Sequence, residues 1–180
     1  MTDRQVRAIQ DIDPVSMVPG SGDVLVSFAT RSEMQTVLAR LLTGARQEVL
    51  YENVRLDVEH LGSPDALAGM ENLLMANRAA TLRTLTDSSQ ALVQSGHRLV
   101  ETLRRFMPQG ECRIRRPGTR EGPSGFVVVD RVAYLLLPDP DRYAGTAGFN
   151  APGTAEKLRD LFNQSWDLAQ PDPEMLPLTI

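Results

Sequence analysis

The feature that most constrains this sequence is a hydrophobic hairpin in its second half. Phe126–Val129 and Val132–Leu136 consist almost entirely of Val, Leu, Ala and aromatic residues, and Asp130-Arg131 separates them. Strands that are buried on both faces have such near-continuous apolar runs, whereas strands with one solvated face alternate apolar and polar residues. We therefore expect this hairpin in the centre of a sheet, with other parts of the chain covering both faces.

The segments around the hairpin alternate between strand patterns and helix patterns. Strands are predicted at Asp23–Phe28, Gln47–Val54, Thr81–Thr86 and Glu111–Arg116. Helices are predicted from Thr30 to Gly44, from Ser63 to about Ala79, in one long stretch from Asp87 or Ser88 to Phe106, and from Asn150 or Pro152 to Trp166. Strands that alternate with helices, followed by a hairpin and a last helix, predict an α/β fold with a mixed β-sheet flanked by helices.

Two of these helices have clear start signals. Thr30 and Glu33 have the spacing of a capping box, in which two side chains satisfy free backbone amides. Ser63 followed by Pro64 combines a preferred N-cap residue with a residue suited to the first turn.

The chain is expected to form one domain with two short extensions. Pro and Gly residues interrupt its first part, which predicts an N-terminal arm over residues 1–22. Residues 23–170 contain the alternating strands and helices of the domain. Prolines interrupt the end of the sequence again, which predicts a C-terminal tail over residues 171–180.

Charge and composition argue against several classes of protein. The formal net charge of −4 gives no global reason to expect binding to nucleic acid or to an anionic membrane surface. The single cysteine, Cys112, excludes an internal disulfide and a Cys-based zinc site, and it fits a reducing compartment. The sequence has no apolar run of about 18 residues and none at its start. We therefore expect a cytoplasmic protein without a membrane span or a signal peptide.

The residues that most often carry chemistry are few and isolated. His60 and His97 are the only histidines, and neither has a second metal ligand at a suitable spacing, so we predict no metal site. The segment 145–148 precedes a helix, as phosphate-binding loops do, but it lacks the lysine and the parallel strand of a P-loop. Cys112 alternates with Arg113 along a strand and is expected to be a buried, inert thiol. No cofactor is predicted.

The most suggestive constellation is basic. Seven arginines lie between Arg98 and Arg120, against two acids, Glu101 and Glu111. Guanidinium groups at this density can bind phosphate or carboxylate through paired N–H donors. The alternative is a solvated face, or ion pairs with nearby acids. The candidate ligand-binding residues are Arg104, Arg105, Arg113, Arg115, Arg116 and Arg120.

Several segments resemble the phospholipase D-like superfamily. They are ATLRTLTDS with the helix that follows it, ECRIRR, GFVVVDRVAYLL and EKLRDLFNQSWDLA, and the resemblance covers roughly residues 23–170. Gly96-His97-Arg98-Leu99 and Asp141-Arg142-Tyr143 resemble stretches of a branch of short bacterial members with one unit. The resemblance implies a single phospholipase D-like unit. Because single units in that superfamily commonly pair, it also implies a homodimer.

The catalytic motif of that superfamily is degenerate in this sequence. Active members carry His, a spacer, Lys, four residues and Asp, so that His attacks phosphorus while Lys holds the phosphate oxygens from the same strand face. When Asp130 takes the Asp position, the His and Lys positions fall on Pro123 and Gly125. His60 and His97 do not fit the spacing. Asp130 is then the remnant of the motif, and an Asp at a hairpin turn needs no catalytic role.

These observations lead to three functional hypotheses. The first is a non-catalytic phospholipase D-like domain that binds a phosphate-containing or anionic partner through its arginines. The second is a scaffold or accessory protein that acts through protein–protein contacts and its terminal arms. The third is a hydrolase of another type, which uses Asp130 and a histidine brought close by folding. Nucleic acid, nucleotide, phospholipid headgroup and protein are all open as partners.

Overall fold

A nine-stranded mixed β-sheet dominates the computed structural model, which describes residues 5–55, 63–119, 122–139 and 141–176. Its strands are β1 Arg7–Ala8, β2 Leu25–Phe28, β3 Glu48–Arg55, β4 Thr81–Ser88, β5 Gly110–Ile114, β6 Gly125–Val129, β7 Ala133–Leu137, β8 Gly145–Gly148 and β9 Gln170–Pro171. Their order across the sheet is β1-β2-β8-β7-β6-β3-β4-β5-β9.

The predicted hairpin lies in the middle of this sheet. β6 and β7 pair with each other, and β6 also pairs antiparallel with β3. All residues of β6 are buried, as its apolar run predicts. β3, β4 and β5 are parallel neighbours. We call the end of the sheet where these three strands finish the carboxyl end, and the end where they begin the amino end.

Helices cover both faces of the sheet. Within the described residues they are α1 Arg31–Gly44, α2 Pro64–Ala76, α3 Gln90–Gln94, α4 Arg98–Arg105 and α5 Pro152–Leu168. α1, α2 and α4 enclose one core, which includes Leu74 and Leu103. α5 covers the other face, where Phe162 shares a second core with Leu50 and Phe126. The predicted α/β fold with a mixed, helix-flanked sheet is confirmed.

The predicted helix starts are also confirmed. Thr30 Oγ1 accepts a hydrogen bond from the N–H of Glu33 at 3.3 Å, and Glu33 Oε2 accepts one from the N–H of Thr30 at 3.2 Å. This is the expected capping box. Ser63 is the N-cap of α2 with Pro64 in the first turn, although the Ser63 side chain makes no capping hydrogen bond.

The prediction of one long helix after β4 is wrong, because the chain forms two short helices there. α3 ends at Gln94, and Gly96 has a φ of 63°, which favours glycine. α4 then begins with His97 as its N-cap. Leu92 and Leu99 are both fully buried on either side of the break, so the apolar periodicity does not reveal it.

Residues 145–148 form β8 rather than a loop. β8 pairs antiparallel with both β2 and β7. A Cβ on Gly148 would lie 2.6 Å from a ring atom of Tyr134, so glycine allows close packing at this position. The small residues of this segment therefore allow close packing within the sheet, and the segment is not a phosphate-binding loop.

Residues near both termini take part in the sheet and the core. β1 pairs with β2, and Ile12 and Met17 are buried behind it. At the other end of the chain, β9 pairs with β5 and Met175 is buried. Residues 1–4 and 177–180 lie outside the described residues. The boundaries of the arm and the tail stay predictions.

Candidate functional site at the carboxyl end of the sheet

The carboxyl end of the sheet brings together polar residues from three neighbouring strands and the glycine that begins a fourth. β3 contributes Glu52 and Asn53, β4 contributes Thr86, Arg115 follows β5, and β6 begins with Gly125 opposite Asn53. The four polar side chains are all buried. In open α/β sheets, ligands commonly bind at the carboxyl ends of the parallel strands, so this end is the first place to examine for function.

Arg115 forms a buried ion pair at this end. Its Nη2 donates a hydrogen bond to Oε1 of Glu52, and its Nε lies 3.4 Å from Oδ1 of Asp87. The side chains of Arg115 and Glu52 are only 3% and 1% exposed. The attraction between such buried charges offsets their loss of hydration, and the two remain bound to each other. Arg115 is thus an interior residue, in contrast to the expected place on an exposed arginine surface.

Two carboxylates, those of Glu52 and Asp87, lie within ion-pair distance of Arg115. The guanidinium of Arg115 is therefore engaged by groups of its own chain. The sequence did not show these contacts, because Glu52 and Asp87 lie on strands far from Arg115 along the chain.

Gly125, at the position that the resemblance assigns to the catalytic Lys, lies beside the strand that carries Glu52. Gly125 pairs with Asn53, and a Cβ on Gly125 would lie 3.5 Å from Asn53 Oδ1, an ordinary contact distance. There is room for a side chain, but glycine supplies none. Pro123, two residues earlier, has neither a nucleophile nor a donor. Asn53 Nδ2 is buried and has no hydrogen-bond partner among the described residues.

β5 separates the candidate arginines into two groups. Arg104 and Arg105 end α4 and precede β5, whereas Arg115 and Arg116 follow it. At about 3.3 Å per residue, the five-residue strand keeps the two groups on the order of 15–20 Å apart. Arg104 and Arg105 therefore lie at the opposite end of β5 from Arg115 and Arg116, and these four residues do not form one continuous surface.

The arginines at the amino end contact their own surroundings. Arg104 donates from Nη2 to the carbonyl oxygen of Glu174 at 2.6 Å. The guanidinium of Arg105 lies 5.1 Å from the centre of the Phe106 ring. Through both interactions, the last turn of α4 contacts neighbouring residues of its own chain. Arg120, the last candidate, lies outside the described residues.

Arg113 lies against α5. Its guanidinium carbon is 4.4 Å from the centre of a Trp166 ring, and that of Arg83 is 5.6 Å from it. Arg113 also donates to Glu111 at 2.7 Å and to the carbonyl oxygen of Trp166 at 3.1 Å. Among these three charged side chains, the two arginines outnumber the one glutamate, so their summed charge is positive. The sequence analysis missed Arg83, because only the pairing of β4 with β5 brings it next to Arg113.

Arg116 begins an exposed turn that borders an open pocket of about 270 Å³. The N–H and the hydroxyl of Thr119 both donate to the carbonyl oxygen of Arg116, at 3.3 and 2.6 Å. The pocket lies between this turn and α5. Its lining residues are Gly118, Thr119, Gln164, Ser165 and Leu168. The hydroxyl and amide groups among them are hydrogen-bond donors.

Asp130 lies at the opposite end of β6 from Gly125. Its Oδ2 accepts a hydrogen bond from the N–H of Arg46 at 2.8 Å. Its Oδ1 accepts from the N–H groups of Gln47 at 2.7 Å and Glu48 at 2.9 Å. Asp130 also occupies the hairpin turn with a φ of 50°. Its carboxylate therefore ties the turn to the start of β3, which is a structural task.

The remaining reactive side chains have structural roles. His97 Nδ1 accepts a hydrogen bond from the N–H of Leu99 at 3.2 Å, and burial lowers the pKa of its imidazole. Burial raises the pKa of the Cys112 thiol to about 12, so the thiol is neutral at physiological pH. His60 lies outside the described residues. Within the described part of the chain, no three His, Cys, Asp or Glu side chains are grouped to hold a metal ion.

Comparison with solved structures identifies the fold. Nuc from Salmonella typhimurium, a phospholipase D family member, aligns with a TM-score of 0.58 and 10% identity over 84% of this chain and 99% of that chain. NucT from Helicobacter pylori aligns with 0.58 and 8% identity over 84% and 100%. TrmBL2, an archaeal chromatin protein, aligns with 0.58 and 12% identity over 81% of this chain and 54% of that chain. The expected phospholipase D-like fold is confirmed.

The search of curated proteins found no match. Among the helices in the described residues, none has both the length and the apolar character that crossing a bilayer requires.

Residues 30–178 match a family described as "Domain of unknown function (DUF7931)", a range that begins just before α1 and reaches into the C-terminal tail. This chain therefore belongs to the DUF7931 family and has a phospholipase D-like fold.

Proposed function

We propose that this chain is a non-catalytic phospholipase D-like domain that binds an anionic partner through the arginines beside α5. The observation that carries the first part is the presence of Pro123 and Gly125 at the positions of the catalytic His and Lys. Cleavage of a phosphodiester by the superfamily's mechanism needs a nucleophile and a cation there. Neither residue supplies one, and the neighbouring Arg115 is held by Glu52.

The charges beside α5 support the second part. Arg83 and Arg113 lie against Trp166, and the turn that begins at Arg116 lines the adjacent pocket through Gly118 and Thr119. Guanidinium groups together with hydroxyl and amide donors are the groups that bind phosphate oxygens in proteins. The arginines of the proposed site are therefore the partly exposed Arg83 and Arg113 and the exposed Arg116, and not the buried Arg115.

An oligonucleotide is the first ligand to test. TrmBL2, which shares the fold, is described as a chromatin protein with a novel mode of DNA binding. Labelled single-stranded and double-stranded oligonucleotides should bind at low salt, and the affinity should fall steeply towards physiological salt as phosphate contacts release counterions. Arg113→Gln combined with Arg116→Gln should weaken binding by roughly 10- to 100-fold, since two charged contacts are lost.

The matched control is Arg78→Gln combined with Arg105→Gln. These exposed arginines precede β4 and β5, so the change removes the same charge from the amino end of the sheet. The control should leave the affinity within about twofold of the parent chain, because distant surface charges are screened. An equal loss in both variants, or no binding at low salt, contradicts the proposed site and leaves the scaffold hypothesis in the lead.

A phosphodiesterase assay tests the absence of catalysis directly. Hydrolysis of bis(p-nitrophenyl) phosphate should stay at the level of buffer. Hydrolysis that elutes together with the protein in gel filtration, and that persists in independent preparations, contradicts a non-catalytic domain.

Two copies of the chain should also pair, as the superfamily resemblance implies. Light scattering coupled to gel filtration should then give twice the chain mass of 19.8 kDa. A mass of one chain at micromolar concentration contradicts the expected homodimer.

A further inference from the structure

A cavity of about 120 Å³ lies between β5, the end of α4 and the C-terminal tail. Its walls are mainly apolar and include Leu103, Met107, Met175 and Leu176, with Glu111, Cys112 and Asp172 as polar members. A space of this size holds several water molecules, so a small organic ligand fits inside it.

The pairing of β9 with β5 places Asp172 beside Cys112. Arg113 is opposite Pro171, and the next N–H, that of Asp172, donates to the carbonyl oxygen of Cys112 at 3.0 Å. Directly opposed residues of an antiparallel pair send their side chains to the same face. The Asp172 carboxylate therefore shares the cavity face of β5 with the Cys112 thiol.

Only one oxygen of the Asp172 carboxylate accepts a hydrogen bond from the described residues. Oδ1 accepts a hydrogen bond from the N–H of Glu174 at 3.0 Å and caps the short turn Pro173–Met175. Oδ2 is buried and has no hydrogen-bond partner among the described residues. The whole residue is only 2% exposed. A buried carboxylate oxygen without a donor is costly, so this oxygen calls for a donor from outside the chain.

The neighbouring side chains make no hydrogen bond to this oxygen. Arg104 directs its Nη2 to the carbonyl oxygen of Glu174, and its buried Nε has no hydrogen-bond partner among the described residues. Glu111, which also lines the cavity, is paired with Arg113 at 2.7 Å. The Cys112 thiol is neutral and adds no charge. The cavity thus presents the carboxylate of Asp172 among mainly apolar side chains.

We propose that this cavity binds a small primary alkylammonium ion. Its ammonium group donates to Oδ2 of Asp172, and its alkyl chain packs against Leu103, Met107 and Met175. An ammonium carries three N–H donors and the charge that complements a carboxylate, while the apolar walls suit the chain. The cavity adjoins the first three residues of β5, away from Arg116, and it touches the proposed anionic site only through the pairing of Glu111 with Arg113.

Titration with n-butylammonium chloride tests the proposal on the full chain. With ¹³C-labelled methionine methyl groups, the resonances of Met107 and Met175 should shift along one saturable curve. Met34 and Met70 are internal controls, because they are buried between α1, α2 and the sheet and do not line the cavity. Their resonances should stay unchanged.

Two controls test the role of the charge. Asp172→Asn keeps an oxygen that accepts from Glu174 and removes the negative charge, so the dissociation constant should rise by roughly 10- to 100-fold. 1-Butanol has the same chain without the charge and should bind the parent chain much more weakly than n-butylammonium.

Three results overturn the proposal. The first is the lack of a saturable shift of Met107 and Met175. The second is equal affinity for n-butylammonium and 1-butanol, which shows recognition of apolar volume only. The third is unchanged affinity in Asp172→Asn. If that variant does not fold, the comparison of the two ligands on the parent chain still decides.

Discussion

The two ends of β6 differ in what their residues do. Asp130 follows β6 at the amino end of the sheet, and its carboxylate accepts hydrogen bonds from three backbone N–H groups at the start of β3. Gly125 begins β6 at the carboxyl end of the sheet, where it lies opposite Asn53 and has no side chain. The five residues of β6 keep these two places roughly 17 Å apart.

Under the proposed non-catalytic function, this difference explains how a fold can outlast a motif. In the alignment that the resemblance implies, Asp130 keeps the residue type of the family, and its side chain holds backbone groups in place. Pro123 and Gly125 take the positions that act on a substrate in active members, and the sheet forms without functional groups there. The proposal thus places the structural and the chemical tasks at different ends of one strand, so that one can be lost without the other.

The largest expected effect is at the carboxyl end. Arg115→Leu removes one partner of the buried pair and leaves the buried Glu52 carboxylate without the guanidinium it binds, which should lower the free energy of unfolding by about 3–5 kcal/mol. Urea unfolding measures this change. Arg115→Leu combined with Glu52→Leu should recover a large part of the loss, because the buried carboxylate is removed as well. A single-variant loss below about 1 kcal/mol contradicts the buried pair.

A smaller loss is expected at the amino end. Asp130→Ala should cost about 2–4 kcal/mol, since three N–H groups lose a charged acceptor and water replaces it only in part. Asp130→Asn should cost less, because an amide oxygen still accepts and asparagine tolerates a positive φ. Urea unfolding again gives the values. Both variants should bind oligonucleotides like the parent chain, and a selective loss of binding with full stability makes Asp130 a functional residue.

The smallest effect concerns a third structural polar residue, His97. Because burial lowers its pKa in the folded chain below the usual value of about 6.5, the unfolded chain takes up a proton first as the pH falls. The contribution of His97 is therefore complete above pH of about 6.5 and is lost as the pH falls towards the folded-state pKa.

His97→Asn keeps an N-cap acceptor and does not titrate in this range. The parent chain should then lose slightly more stability than the variant between pH 7 and pH 5, by less than about 1 kcal/mol for a partly buried ring. Thermal unfolding at several pH values measures the difference. Parallel curves for the two proteins contradict the lowered pKa.

Local signals were enough to predict most of the fold. The capping box at Thr30 and Glu33, the Ser63-Pro64 pair and the apolar hairpin each specify an element through neighbouring residues. The elements that the sequence did not predict are those whose structure depends on tertiary contacts. Gly96 breaks a continuous apolar periodicity, and segment 145–148 becomes a strand because β2 and β7 lie on both sides of it.

The candidate site was harder to predict, because its charges come from separate strands. The alternation along β5 indicated that Arg113 and Arg115 share a face, but it did not indicate what covers that face. Glu52 lies on β3, two strands away from β5, and it forms an ion pair with the buried guanidinium of Arg115. Arg83 reaches Trp166 only through the pairing of β4 with β5. Proximity along the chain also grouped Arg104 with Arg116, which the sheet separates.

The two outermost strands of the sheet, β1 and β9, have a consequence for self-association. Each is only two residues long, and Pro171 in β9 has no N–H to offer. Short edges and prolines leave few backbone groups on which a strand of another molecule can pair. Among the described residues, the sheet thus offers few backbone groups for growth from either side, which disfavours fibre formation.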